Sequence, residues 1–123
     1  MYNTTIIYLI GCNDTNVSNT YIGHTTNFKQ RCEDHEKCVN TSDRKLYSFI
    51  REHGGWSNWY MKPLSNISCK NKGDACLEEL YWYNKIKPTL NTVVPGINYY
   101  TRAMKSDKLY EKRKHLLDRI NMS

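Results

Sequence analysis

Long apolar runs, a secretion signal and closely spaced cysteine pairs are all missing from this chain of 123 residues. No apolar stretch approaches the roughly 18 residues of a membrane-spanning helix, and the N-terminus lacks the basic region and cleavage site of a signal peptide. The five cysteines include no Cys-x-x-Cys pair, and their odd number favours free thiols in a reducing compartment. We therefore expect an intracellular protein, cytoplasmic or nuclear, that is not secreted and has no membrane partner.

Charged side chains are scarce at the start of the chain and abundant at its end. Residues 1–25 carry only Asp14, whereas residues 102–123 hold seven basic and three acidic side chains. This last segment thus contributes +4 to a total net charge of +6. Such a balance favours a polyanionic partner, with nucleic acid ahead of an acidic membrane surface.

The length suits one compact domain, and an aromatic content of 12% argues against disorder. Residues 4–11 and 20–25 are β-rich segments on either side of a polar turn, which predicts a hairpin. In the correct register Tyr8 and Tyr21 share one face, and His24 faces away from Tyr21. Gly23 then leaves room for another backbone or a ligand.

Helical patterns follow, interrupted by one further strand. We predict four helices. The first covers residues 28–37, and the second begins at a cap at Ser42 or Asp43 and ends at Gly54. The other two cover residues 74–86 and residues 106–120. Residues 56–67 resemble an edge strand, with Pro63 at an edge or bulge, and residues 89–102 are expected to be irregular. The fold class is therefore α+β, with a domain over residues 1–98 and a basic helical extension over residues 99–123 in the same unit.

Four short motifs occur in a fixed order between residues 5 and 91. They are Ile6-Ile7-Tyr8 and Tyr21-Ile22-Gly23 on the strands, then Asn27-Phe28 with Arg31 and His35, and finally Glu79 with Lys87-Pro88 and Asn91. In order and spacing they resemble the GIY-YIG nuclease family, although Ile6 stands where relatives carry a packing glycine. The segment LYSFIREHGGWSNW is also similar to an insertion in compact GIY-YIG proteins of large DNA viruses, so a viral origin is compatible with this likeness.

The resemblance implies a GIY-YIG fold, with a three-stranded antiparallel sheet flanked by helices, and metal-dependent hydrolysis of duplex or branched DNA. Its catalytic residues correspond to Tyr8, Tyr21, Arg31, His35 and Glu79. Glu79 is then the ligand of Mg²⁺ or Mn²⁺, Arg31 stabilises the phosphorane and Tyr8 activates water. Gly23, Asn27 and Asn91 have supporting roles.

Elementary chemistry agrees with part of this assignment. Arg31 and His35 are four residues apart and project from one helical face, and a guanidinium suits a phosphate. The alternative for Arg31 is a surface ion pair with Glu33 or Asp34. A phenolate at Tyr8 requires a pKa below the usual value of about 10, and the sequence leaves open whether Tyr21 or His35 shares the role of base.

The helical pattern does not distinguish Glu79 from its neighbour Glu78, whose replacement by Gln is expected to be close to neutral for cleavage. The nine-residue spacing to Pro88 selects Glu79. For His24, a structural role and a phosphate contact remain equal alternatives. The basic residues proposed to track the DNA backbone from the last helix are Lys108, Lys112, Arg113 and Arg119.

Two other functional classes stay open. A non-catalytic nucleic-acid-binding module keeps the basic surface without a metal, and a structural zinc protein uses ligands among Cys32, His35, Cys38, Cys69 and Cys76. Three ligands on one uninterrupted helix make poor tetrahedral geometry, which disfavours zinc. A short catalytic core leaves little room for a separate reader of DNA sequence, so specificity is expected from the last helix, a homodimer or a partner.

Overall fold

The computed structural model describes residues 1–122, which contain three β-strands and five α-helices. The strands are β1 (Thr5–Cys12), β2 (Tyr21–Thr25) and β3 (Trp59–Ile67), and a short 3₁₀ turn, Trp56–Asn58, precedes β3. The helices are α1 (Phe28–Thr41), α2 (Lys45–Glu52), α3 (Lys72–Ile86), α4 (Ile97–Met104) and α5 (Asp107–Met122). No helix within the described residues is long and apolar enough to cross a membrane.

The strands form one antiparallel sheet in the order β2-β1-β3. Tyr8 lies opposite Gly23, and Ile10 lies opposite Tyr21, so the two tyrosines share one face as predicted. Pro63 lies opposite Tyr8 on the edge strand β3, beside a shift in register. A proline is tolerated there because an edge strand with a bulge does not need every backbone N–H.

The two faces of the sheet are covered by different helices. Tyr8 and Ile10 pack against α1 and α2 through a cluster that includes Val39, Tyr47 and Ile50. The opposite face packs against α3, where the apolar cluster comprises Ile7, Leu9, Ile22, Trp82 and Ile86. This arrangement confirms the predicted α+β class, a three-stranded antiparallel sheet flanked by helices.

Helices α4 and α5 form an outer layer on α3. Leu117 and Ile120 are buried against Leu77 and Leu80 of α3, while Leu109 and Leu116 are partly buried beside them. The spacing of Leu109, Leu116, Leu117 and Ile120 in the sequence predicts an apolar stripe that packs inward, and the stripe does face the protein. The helix is kinked at Arg113, whose φ of −121° and ψ of 18° are not helical.

Several predicted boundaries are wrong: α1 continues to Thr41 rather than to residue 37, and β3 begins at Trp59 rather than at residue 56. Residues 89–102 are not irregular throughout, because α4 begins at Ile97 after Gly96, which has a φ of 72° and lies against the backbone carbonyl of Cys76. The turn signals in this segment were stronger than the local helical pattern. Helix α2 is preceded by Arg44 at the cap position rather than by Ser42 or Asp43.

Candidate active site

The Tyr8 hydroxyl is the centre of a buried hydrogen-bond network. It lies 2.7 Å from Nε2 of His35 and accepts a hydrogen bond from Nε of Arg31 at 3.3 Å. The other ring nitrogen of His35, Nδ1, lies 2.9 Å from the hydroxyl of Tyr47. His35 is thus held between two tyrosine hydroxyls, and the ring of Tyr21 lies against both Tyr8 and His35.

Local sequence explains how this network is assembled. Asn27 caps α1, its side-chain oxygen accepting a hydrogen bond from the backbone N–H of Gln30 at 3.1 Å, which fixes where the helix begins. Arg31 and His35 then face the sheet one helical turn apart. Gly23 is required because a Cβ at this position would collide with the Tyr8 hydroxyl. The space above Gly23 therefore holds the Tyr8 ring, and not the backbone or ligand expected from the sequence.

Burial controls the protonation of the network. It raises the pKa of the Tyr8 hydroxyl well above its ordinary value, and Arg31 only partly offsets this effect. Arg31 alone therefore does not lower the pKa of Tyr8 below its ordinary value, because the desolvation of a phenolate outweighs one nearby guanidinium. Burial, together with Arg31, lowers the pKa of His35 to about 4, so this imidazole is neutral at physiological pH.

Arg31 keeps an unneutralised charge. The four side-chain ion pairs within residues 1–122 are His24–Glu79, Arg51–Asp43, Arg113–Asp74 and Arg119–Glu78. The alternative pairing of Arg31 with Glu33 or Asp34 is absent from this set. A guanidinium whose partners are neutral tyrosine hydroxyls remains available to an anion.

A cleft runs beside the free edge of β2. Its lining includes Tyr21, Arg44, Glu79 and Asn91. Glu79 is 8% exposed, and its Oε1 lies 2.6 Å from Nδ1 of His24. Glu79 therefore faces the cleft beside Tyr21, and His24 contacts this carboxylate.

Asn91 supports the same strand edge. Its side-chain amide donates to the carbonyl of Ile22 at 2.9 Å and accepts from the N–H of Ile22 at 3.0 Å. This pair of bonds imitates a neighbouring strand and satisfies the exposed edge of β2. The loop that carries Asn91 is held further by the hydrogen bond from the N–H of Leu90 to the carbonyl of Thr20.

Comparison with known families accounts for this arrangement. The sequence model of the GIY-YIG catalytic domain matches residues 4–91 of the chain. The chain belongs to the GIY-YIG family. No curated protein and no solved structure gives a significant match. Membership implies endonuclease activity on DNA in general, and GIY-YIG nucleases generally use divalent metal ions.

The residues of this GIY-YIG domain fit such an ion at Glu79. Within residues 1–122, only Oε1 of its carboxylate takes part in a hydrogen bond, while the residue itself lines the open cleft. Mg²⁺ is commonly held by one or two carboxylates and several water molecules. One carboxylate at the wall of a solvent-filled cleft is compatible with this preference.

The zinc alternative has no ligand set. No three histidine, cysteine, aspartate or glutamate side chains converge on one point within the described residues. Both ring nitrogens of His35, the central ligand of that alternative, already face tyrosine hydroxyls. Cys32, Cys38, Cys69 and Cys76 are free thiols.

The basic residues of α5 differ in their surroundings. Lys108 and Lys112 are exposed. Arg113 instead bonds Asp74 at 3.2 Å, and Arg119 bonds Glu78 at 2.6 Å. The two arginines proposed as DNA contacts therefore connect α5 to α3.

Sequence reasoning missed Tyr47 and Arg44. Tyr47 is 1% exposed and reaches His35 from α2, while Arg44 lies at the start of the same helix with its guanidinium over the Tyr47 ring. The only available signal for Tyr47 was its position in the segment with viral likeness, and Arg44 lies just before that segment. Helical periodicity predicts an apolar stripe of Leu46, Phe49 and Ile50 here, which leaves Tyr47 out.

Proposed function

We propose that this GIY-YIG protein is a metal-dependent DNA endonuclease in which the Tyr8 hydroxyl activates the attacking water. The observation that carries the proposal is the position of that hydroxyl between Arg31 and the neutral imidazole of His35. A tyrosine that only packs in a core needs one hydrogen-bond partner. Tyr8 has a cation on one side and a proton acceptor on the other.

The proton path follows from the two pKa directions. A free phenolate at Tyr8 is disfavoured by burial, so Tyr8 takes a proton from water while it passes its own to Nε2 of His35. In that tautomer Nδ1–H of His35 donates to Tyr47, which fixes the ring. Because His35 stays neutral down to a pH of about 4, we expect a single-turnover rate that does not rise with pH above neutrality.

Charge on the phosphate is met by two arginines. Arg31 is proposed to bind the non-bridging oxygens as negative charge develops there, which is the task that a planar, permanently charged guanidinium performs well. Arg44, exposed at the cleft and without an acidic partner in the described chain, is placed to hold a neighbouring phosphate. Tyr21, which lines the same cleft as Arg44, is proposed to orient the phosphate from the strand side.

Glu79 is the proposed ligand of the divalent ion. When bound there, Mg²⁺ or Mn²⁺ supplies Lewis-acid stabilisation of the leaving oxygen. Asn91 is proposed to hold β2 in position beside Glu79 through its two hydrogen bonds to Ile22. His24 contacts this carboxylate, which favours a structural role over a phosphate contact.

The DNA backbone is proposed to continue along the exposed lysines of α5. Lys108 and Lys112 carry this role, since Arg113 and Arg119 are engaged with carboxylates of α3. Contacts of this kind provide affinity without sequence information. A comparison of the cleavage of plasmid and of branched DNA determines which of the two is the preferred substrate.

The test is incubation of the protein with plasmid, branched DNA and RNA, in Mg²⁺ or in EDTA. We expect cleavage of DNA in Mg²⁺, none in EDTA, and none with Glu79→Gln, which should still bind DNA because the basic surface is untouched. The matched control is Glu78→Gln, which lies on the same helix but faces Arg119. Binding of DNA without cleavage under every metal condition would instead establish the non-catalytic module.

A further inference from the structure

The hydrogen bond between His24 and Glu79 takes no part in the proton path or in the phosphate contacts proposed for the reaction. His24 belongs to β2 and Glu79 to α3, so the two residues are 55 positions apart in the chain, yet Nδ1 and Oε1 are separated by only 2.6 Å. The side chains are 18% and 10% exposed, respectively. A carboxylate only accepts hydrogen bonds, so Nδ1–H of His24 is the donor.

We propose that His24 is a positioning residue for the metal-binding carboxylate. This inference rests on the proposed role of Glu79. A glutamate side chain has three rotatable bonds, and the freedom it loses on binding an ion weakens that binding. His24 holds Oε1 against β2 before any ion arrives, so the carboxylate is already ordered at the wall of the cleft, and Oε2 makes no hydrogen bond to residues 1–122.

The placement of His24 restricts the alternatives. On a strand, successive side chains point to opposite faces, so His24 lies on the α3 side of the sheet while Tyr21 lies on the α1 side. His24 also does not line the cleft that contains Tyr21, Arg44 and Glu79. Its observed contact with the proposed site is therefore the one with Glu79.

Metal affinity is the property that this role predicts. Partners that hydrogen-bond a ligating side chain typically change metal affinity by about 10–100-fold when they are removed. We therefore expect His24→Ala to weaken Mn²⁺ binding within that range. His24→Asn should recover most of the loss, because the side-chain N–H of asparagine can donate from nearly the same place as Nδ1–H.

The experiment is a titration of the DNA-free, full-length protein with Mn²⁺, in which free Mn²⁺ is followed by electron paramagnetic resonance. Glu79→Gln tests the proposed metal site itself, since it should abolish the same binding event. His115→Ala, which removes an exposed histidine on α5, controls for adventitious binding to imidazole. Thermal melting of each variant verifies that it is folded.

The outcomes separate the two proposals. If Glu79→Gln binds Mn²⁺ like the unaltered protein, the metal site of the proposed function is wrong. If Glu79→Gln loses the ion but His24→Ala binds it equally well or more tightly, the hydrogen bond only competes with the ion and the positioning role is overturned. A nitrogen-14 coupling to bound Mn²⁺ that disappears in His24→Ala also overturns it, because His24 is then a direct ligand.

Discussion

The arginines on the two sides of the sheet have opposite surroundings. On the α1 side, Arg31 is bonded to a neutral tyrosine hydroxyl and forms no ion pair with the described residues. In the outer layer on the other side, Arg113 and Arg119 each contact a carboxylate of α3, and Arg119 also lies 4.2 Å from the centre of the Tyr81 ring.

This difference indicates that the charge of Arg31 is available to a ligand, whereas the charges of Arg113 and Arg119 stabilise the fold. Glu78 is 5% exposed, and a carboxylate buried to this extent needs a partner, which Arg119 provides. Arg31 is half-buried without such compensation, next to the group proposed to activate water. An uncompensated cation beside a cleft is costly for the apo protein and becomes favourable only when an anion binds.

The largest effect predicted from this comparison is the loss of activity in Arg31→Gln. Removing a group that stabilises developing negative charge typically costs about 10³-fold in rate. We expect a loss of that size in the single-turnover rate, with a melting temperature close to that of the unaltered protein. Arg119→Gln should behave in the opposite way, with lower stability and nearly full activity in the folded fraction. If Arg31→Gln and Arg119→Gln lowered the cleavage rate equally, the proposed difference between a ligand-binding arginine on the α1 side and a structural arginine in the outer layer would be wrong.

Acid should destabilise the α1 side through His35. Burial holds its pKa at about 4, compared with 6.5 in a free histidine. The unfolded chain therefore takes up the proton first as the pH falls, so the stabilisation is complete above about pH 6.5 and is lost toward pH 4, by about 3 kcal/mol. Urea unfolding at several pH values should show the difference between the unaltered protein and His35→Gln shrinking over this window. A constant difference would show that the pKa of His35 is the same in the folded and unfolded states.

The outer layer should lose stability when its ion pair is broken. Glu78→Gln removes the charge that faces Arg119, and a hydrogen bond to a charged group is worth about 2 kcal/mol. The expectation that Glu78→Gln is close to neutral concerns cleavage, whereas the cost predicted here concerns folding, because the residue is buried and paired. We still expect the folded variant to cleave DNA. Urea unfolding, together with the single-turnover rate, tests both halves of this prediction.

The smallest effect is expected from the exposed lysines of α5. Each phosphate contact contributes about −0.9 to the slope of log K against log salt, so Lys108→Gln with Lys112→Gln should reduce the magnitude of that slope by about two. The matched control replaces Lys37 and Lys62, exposed lysines outside α5. If both double variants reduced the salt slope equally, the effect would reflect a general loss of charge. DNA binding would then be assigned to the core domain and not to α5.

Local patterns in the sequence predicted much of the secondary structure and the face on which each site residue lies. Strand periodicity placed Tyr8 and Tyr21 on one face, helical spacing placed Arg31 and His35 together, and the apolar stripe oriented α5. Each of these depends on residues close in sequence and on one regular period. The motif spacing also selected Glu79, which the structure places beside Tyr21.

Contacts between distant elements could not be predicted in the same way. Arg119 and Glu78 are 41 positions apart, and His24 and Glu79 are 55 apart, so each pair depends on how helices dock on the sheet and on one another. The direction of the pKa shift at Tyr8 was likewise inaccessible, since it is decided by burial and not by the nearest cation. Helix α4 was missed because the turn signals at Pro95 and Gly96 concealed it.

The central claim is that the Tyr8 hydroxyl takes part in the reaction, and Tyr8→Phe tests it most directly. The substitution keeps the ring that packs over Gly23 and removes only the hydroxyl, which costs about 1 kcal/mol of stability. The measurement is the single-turnover cleavage rate in Mg²⁺ at saturating protein, with DNA affinity and thermal melting determined on the same sample. We predict a loss of about 10³-fold in rate with unchanged affinity for DNA. A folded Tyr8→Phe protein that cleaves DNA nearly as fast as the unaltered chain would contradict the account.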